Sequence, residues 1–444
     1  MKFLIRTFLK YREVFAVLMF FCGLPIVYFF RDGLKLAPNS ALFTIAGGLG
    51  PLLLAVIFKN ISKLYKPNTV GYLITLAYVI ICLFYLLFRD PYSRVSVVYE
   101  MFSFSFIFFF YFAFATISLE QINRNFLPIA LTICVIGSLL LVYSVYKDPF
   151  YVLGQRASIK FRSEAEGNTG NPHIYSKVAF FGVIVSILFL KYQNRYKIGI
   201  IPILTSFFLF LIVLFLTQTM ITFITTALFL FLFFIFNLNV GNIYRSFLKL
   251  FLKWYVLAVL VFGIYKGVDY LKKQEDVLAP ITSFISKRFE KITNTFISGA
   301  AGSKGKNDSK SDQSANMRVQ LINEVLVNME ENFEEGRIRY ILFGNGYKNL
   351  YVDVPIFEAL DSFGFFMFIF YLFLYFYMTV ICIKEMRNPR SIATEFIAYG
   401  FIYFLIQNLT GGLLMDFNRW AYYALVCRFI PSTYIQTIKT KLAF

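Results

Sequence analysis

Residues 198–236 read IGIIPILTSFFLFLIVLFLTQTMITFITTALFLFLFFIF, two apolar runs parted by Thr217, Gln218 and Thr219, with no charged side chain in either. A helix needs about 20 such residues to cross a bilayer, whose hydrocarbon core is about 30 Å thick. Inside lipid every backbone N–H and C=O must be bonded within the protein, which leaves helices or closed barrels. Neither run alternates as a barrel strand does, so both read as transmembrane helices. The same signal recurs at 14–30, 41–58, 70–88, 97–117, 126–147 and 175–191 before the pair, and at 250–267, 356–383, 394–412 and 417–431 after it. The expectation is an all-α polytopic membrane protein of about twelve transmembrane helices. The weakest spans are 41–58, interrupted by Gly47, Gly48, Gly50 and Pro51, and the short 417–431.

Composition agrees: 58% of the 444 residues are hydrophobic and 15% charged, less charge than a soluble chain of this length carries. The first run follows Lys2, Arg6, Lys10 and Arg12 and ends in no small-residue cleavage site, so it reads as the first helix of the bundle. Short loops on the cytoplasmic side collect Lys and Arg. With the N-terminus inside, those loops hold Lys59, Lys63, Lys66, Arg124, Lys191, Arg195, Lys197, Arg245, Lys249, Lys384, Arg387 and Arg390, and twelve spans return the C-terminal tail to the cytoplasm. Arg89, Arg94, Arg156 and Arg162 fall outside, against the trend. The net charge of +18 is partly this topology signal. A nucleic-acid partner is excluded, since no water-facing basic domain exists. The five cysteines all sit in apolar spans, so none bridges the outer loops, and no pair has metal-ligand spacing.

The chain then divides into helices one to five (1–147), an external loop (148–174), helices six to nine (175–267), a large external loop (268–355), and helices ten to twelve with a cytoplasmic tail (356–444). The first loop is rich in turn-forming residues, Gly167-Asn168-Thr169-Gly170-Asn171-Pro172-His173. The second is long enough to need structure of its own. Ile281–Phe296 and Met317–Phe333 show apolar residues at helical spacing and read as amphipathic helices against the membrane surface. Between them, 298–316 has almost no apolar side chain and is expected to be mobile.

Chemistry is expected in these two loops. Arg156, Arg162, Arg288, Arg318, Arg337 and Arg339 lie there, and guanidinium groups bind phosphate or carboxylate oxygens in pairs. Their plain alternative is contact with lipid headgroups or water. Asp353, Glu358 and Asp361 cluster at the outer end of helix ten. Asp353 is a candidate general base or half of an ion pair, and Asp361 a structural group. His173, the only histidine, is a second candidate acid/base group or an incidental loop residue. There is no Walker loop, dinucleotide fingerprint, metal-binding histidine set, nucleophile elbow or Asp-x-Asp pair, so no cofactor and no metal are expected.

Gly170-Asn171-Pro172-His173 opening a helix, Leu216-Thr217-Gln218-Thr219, Arg318 with the helix after it, Leu342-Phe343-Gly344-Asn345-Gly346-Tyr347, and Asp353 through Gly364 before an aromatic helix together resemble the O-antigen polymerase and O-antigen ligase superfamily. The second motif lacks the family's arginine, and the first five helices carry no motif. The resemblance implies a bacterial inner-membrane glycosyltransferase with its active face outside. It would join undecaprenyl-pyrophosphate-linked oligosaccharides, donor to acceptor, without a metal, and membrane lipids and a polysaccharide chain-length regulator would be further partners. Asp353, His173 and Arg318 would be its catalytic groups; Arg156, Arg162, Arg288, Arg318 and Tyr347 would contact substrate. Asp353 stands where many ligases have histidine, which favours polymerase over ligase. A flippase is the alternative of another class, and it needs charge deep in the bundle.

Overall fold

The computed structural model describes residues 2–34, 36, 41–57, 64–87, 94–149, 151, 156–159, 171–196, 198–237, 313–347 and 349–431. In chain order the helices are α1 (Lys2–Cys22), α2 (Leu24–Tyr28), α3 (Ala41–Ile57), α4 (Thr69–Leu87), α5 (Arg94–Ala115), α6 (Leu119–Asn123), α7 (Phe126–Lys147), α8 (Pro172–Lys191), α9 (Gln193–Tyr196), α10 (Ile200–Thr217), α11 (Met220–Asn237), α12 (Gln313–Glu334), α13 (Ile338–Phe343), α14 (Pro355–Arg387), α15 (Ile392–Thr410) and α16 (Phe417–Phe429). No strand occurs among the described residues. The expected span 250–267 and amphipathic helix 281–296 lie outside them, as do Arg162 and Arg288.

Seven of these helices, α4, α7, α8, α10, α11, α14 and α15, are long and apolar enough to cross a membrane, and the bent pair α1–α2 makes up to eight. The chain is therefore a polytopic helical membrane protein. The expected first span is bent by 67° where Leu24-Pro25 follows Gly23, because proline cannot continue the hydrogen-bond ladder. The apolar stretches of α3 and α5 cover only 46–56 and 100–115, and α16 has 13 residues. Helix α12 starts at Gln313, so the end of the segment expected to be mobile is helical; the rest of it, 298–312, lies outside the described residues.

The chain forms two compact units, Met1–Phe229 with Val327–Phe444, and Leu230–Leu326. In the smaller unit the described residues are the end of α11 and the start of α12, on which Val325 is buried and Met317 and Leu326 are exposed. In the larger unit Phe333, on the expected apolar face of α12, is 76% exposed.

The larger unit is built around α8, α14, α15 and α16. Trp420 stacks on Tyr78 at 5.7 Å, and Tyr422 packs against Phe404, Phe181 and Phe21. Polar contacts fix helix directions. At one end Lys191 Nζ lies 2.6 Å from Glu395 Oε1, and the Tyr192 hydroxyl donates to Glu395 Oε2 at 2.6 Å. At the other, Lys177 Nζ donates to Asn418 Oδ1 at 3.5 Å. The starts of α8, α14 and α16 and the end of α15 therefore share one end of the bundle. The opposite end carries Arg124, Lys191, Arg195, Lys384, Arg387 and Arg390.

Glu395 is fully buried, while the Lys191 side chain is 24% exposed. Lys191→Met leaves that carboxylate with only the tyrosine. It is expected to destabilise by about 2–3 kcal/mol, below the roughly 3–5 kcal/mol of a fully dry pair because Lys191 is partly hydrated. Thermal unfolding in detergent checks this, and an unchanged midpoint would show that water replaces the ammonium.

Candidate functional site

Helix α14 starts at Pro355, whose missing N–H costs nothing in a first turn, and runs regularly to Phe363. Gly364 then takes φ 72°, ψ −176°, a conformation closed to side-chain-bearing residues, and the helix restarts in a new direction. The Phe343-Gly344-Asn345-Gly346 turn lies across this break, backbone on backbone. A Cβ on Gly344 would sit 2.5 Å from the Gly364 nitrogen, and one on Gly364 would sit 2.4 Å from the Gly344 nitrogen. Asp361 secures the turn, accepting from Asn345 Nδ2 at 2.9 Å and from the Leu350 N–H at 3.3 Å. Tyr347 is 1% exposed, stacked on Phe363 and edge-on to Phe104. Burial, helped by the Glu100 carboxyl, pushes its phenol well above the ordinary range. In this structure its ring packs the turn onto the broken helix.

The turn delivers Asp353 to the loop between α15 and α16. Asp353 has φ 51°, a left-handed conformation that few residues with a side chain adopt. Its carbonyl oxygen and its Oδ1 each accept from the Gly412 N–H at 3.1 Å, and the Tyr351 hydroxyl reaches Oδ1 at 3.5 Å. Glu358, fully buried, accepts from the Leu414 N–H through Oε2 at 2.8 Å. Two carboxylates thus hold the Gly411–Asp416 loop.

Beneath that loop lies Arg419, 0% exposed. Its Nη1 donates to the Leu413 carbonyl at 2.7 Å, while Nε and Nη2 have no hydrogen-bond partner among the described residues. Trp420 Nε1 donates to the Leu414 carbonyl, and Asp416 caps α16 by accepting from the Asn418 N–H. Lys177, 4% exposed, reaches Asn418 from α8. A buried ion with unused donors costs several kcal/mol unless another group completes its coordination.

The remaining expected residues fall as follows. Asn171 caps α8 by accepting from the His173 N–H, with Pro172 in the first turn, so the Asn-Pro-His sequence is a helix start. His173 stands one turn before Lys177 on one face of α8. Arg156 is exposed, next to Ala157, whose N–H donates to the Leu216 carbonyl at the end of α10. Gln218 closes α10 in a left-handed conformation. Arg318 belongs to the smaller unit, half-buried on α12, and Arg337 pairs with Glu335 at the surface. Sequence reasoning missed Arg419 and Lys177. The signal was available: an ionisable residue inside an apolar span is costly and faces the bundle interior.

Comparison with known protein families, curated proteins and solved structures found no match.

Proposed function

We propose that this chain is an inner-membrane glycosyltransferase that polymerises polyprenyl-pyrophosphate-linked oligosaccharide repeat units into O-antigen or a similar surface polysaccharide. On this reading it has about twelve spans, cytoplasmic termini, and its Asp353 end facing outward. The cation-rich opposite end supports that orientation. Asp353 takes the proton from the acceptor hydroxyl as its oxygen attacks the anomeric carbon of the donor, and the carbon–oxygen bond to the pyrophosphate breaks. Guanidinium groups offset the charge gathering on the departing pyrophosphate, Arg318 first, with Arg156, Arg162 and Arg288 holding pyrophosphate or glycan. No step uses a metal or a nucleotide.

One observation carries this reading: a carboxylate in a strained left-handed conformation and a buried guanidinium sit on the same short loop, Asp353 on Gly412 and Arg419 under Leu413. The carboxylate is the proton acceptor that such a transfer needs. The motif resemblance supplies the substrate class.

Purified protein given lipid-linked repeat units is expected to form a ladder of products, unaffected by chelator and lost in Arg318→Ala. A normal ladder from well-expressed Arg318→Ala, or a chelator-sensitive one, counts against the assignment. The buried charges of Lys177, Glu358 and Arg419 also favour a second reading, a lipid-linked oligosaccharide flippase. A flippase would move the lipid across a vesicle wall and form no new glycosidic bond.

A further inference from the structure

Every residue of α13 except Arg339 is apolar or aromatic, yet none is buried. Ile338 is 63% exposed and Phe343 53%, and Phe333, one tight turn earlier at the end of α12, is exposed as well. A helix of this composition does not stand bare in water; an exposed apolar patch marks contact with lipid or with another protein. Helix α14 shows which. Its stretch from Pro355 to Phe363 is nearly all buried and holds Glu358 and Asp361. From Phe365 to Ile383 no side chain is charged, and Lys384 and Arg387 follow. The run from Gly364 to Lys384, at about 1.5 Å per residue, covers about 30 Å, the thickness of the hydrocarbon core. The break at Gly364 therefore stands at the edge of the hydrocarbon, on the Asp353 side. An exposed apolar stripe, Phe365, Phe366, Ile369, Phe373 and Phe376, starts directly after it and faces the acyl chains.

Helix α13 ends on that same break. A Cβ on Gly364 would lie 2.5 Å from the Leu342 carbonyl carbon and from the Phe343 nitrogen. Six residues make about 9 Å of helix, so α13 cannot run far from the headgroup layer. Tyr340 and Tyr351, both exposed, bring hydroxyls to the level where amphipathic rings collect. Arg339, also exposed, can lay its stem along lipid and keep its charge in water. Glu330, Glu331, Glu334 and Glu335 outnumber Arg337 and Arg339 at this corner, so burial of apolar side chains holds it, not attraction to anionic lipid. We propose that α13, with Phe333, is an interfacial anchor seated in the leaflet on the Asp353 side, its apolar side chains among the upper acyl chains. The turn that delivers Asp353 is thereby held at headgroup depth. The sequence placed the membrane-facing surface on Met317–Phe333; the structure moves it to the corner after that helix. The anchor stands whether or not the transferase reading holds.

The test is tryptophan fluorescence of full-length Ile338→Trp and Phe343→Trp in nanodiscs of phosphatidylcholine. The lipid is brominated either near the carbonyl end of its acyl chains or at the chain tips. The readout is the emission each variant adds to that of the native Trp254 and Trp420. Bromines near the carbonyl end are expected to remove most of the added emission and tip bromines little of it, as for a side chain about 5–10 Å into the boundary between headgroups and acyl chains. Acrylamide in the water is expected to quench it far less than it quenches free tryptophanamide. Both positions are exposed, so neither replacement requires repacking, and a parental melting midpoint confirms the fold. Phe333→Trp decides should either variant fail to fold. Added emission that acrylamide reaches as freely as tryptophanamide, with no effect of bromine, would place α13 in water and overturn the anchor. Emission that neither quencher reaches would mean that protein, such as a second copy of the chain, covers the helix, which overturns it equally. Quenching by the tip bromines alone would put α13 inside the hydrocarbon and contradict the depth set by Gly364.

Discussion

Asp353→Asn is expected to leave the protein folded and inserted while slowing ladder formation by about 10²–10⁴-fold, the usual loss when a general base is removed. Asparagine is the informative replacement because it tolerates φ near 51° at least as well as aspartate. Its amide oxygen can still accept from the Gly412 N–H, so the loop keeps its hydrogen bond. Only the capacity to take a proton is lost, and the effect should fall on kcat with KM little changed. Initial rates at saturating lipid-linked repeat units, set beside the melting midpoint of the same preparation, check both halves. An unchanged rate with an unchanged midpoint would make Asp353 a strap for the Gly411–Asp416 loop and pass the base role to His173. A lowered midpoint would assign the lost rate to loop geometry instead.

The membrane class was readable because hydropathy acts over whole helices: 198–236 needs no tertiary information to be apolar, and α10 and α11 appear where those runs lie. Bends were harder to read. Leu24-Pro25 breaks the first span, yet Pro51 stays inside a continuous α3, because a proline's effect depends on whether neighbours satisfy the carbonyl it frees. The Asp353-to-Gly364 element was legible as a unit, and the structure ends it at the break in α14. Arg419 was not singled out. It lies at the start of the short span 417–431 among other polar residues, and only the fold shows it turned under the Leu413 carbonyl. The placement of the loop arginines depends on long-range packing that no local pattern encodes.

Gly364→Ala is expected to be the most destabilising single methyl in the described part of the chain, at about 4–5 kcal/mol, the range reserved for named steric failures. Two costs add. The backbone conformation is one that only glycine adopts without strain. The added carbon would also lie 2.4 Å from the Gly344 nitrogen and 2.5 Å from the Leu342 carbonyl carbon and Phe343 nitrogen. All three are main-chain atoms, which cannot swing aside as a flexible side chain would. Relief requires the turn and the broken helix to part, which stretches the Asn345–Asp361 bonds and moves Asp353 off Gly412. Activity should fall with stability, unlike in Asp353→Asn. Gly336→Ala separates the two costs. Gly336 has φ 67° but open space around its missing side chain, so it carries the conformational penalty alone, about 1 kcal/mol. Chemical unfolding of both variants beside the parent measures the difference. Equal losses would mean that the Phe-Gly-Asn-Gly turn does not ride on the helix break, and that Asp353 is placed by something else.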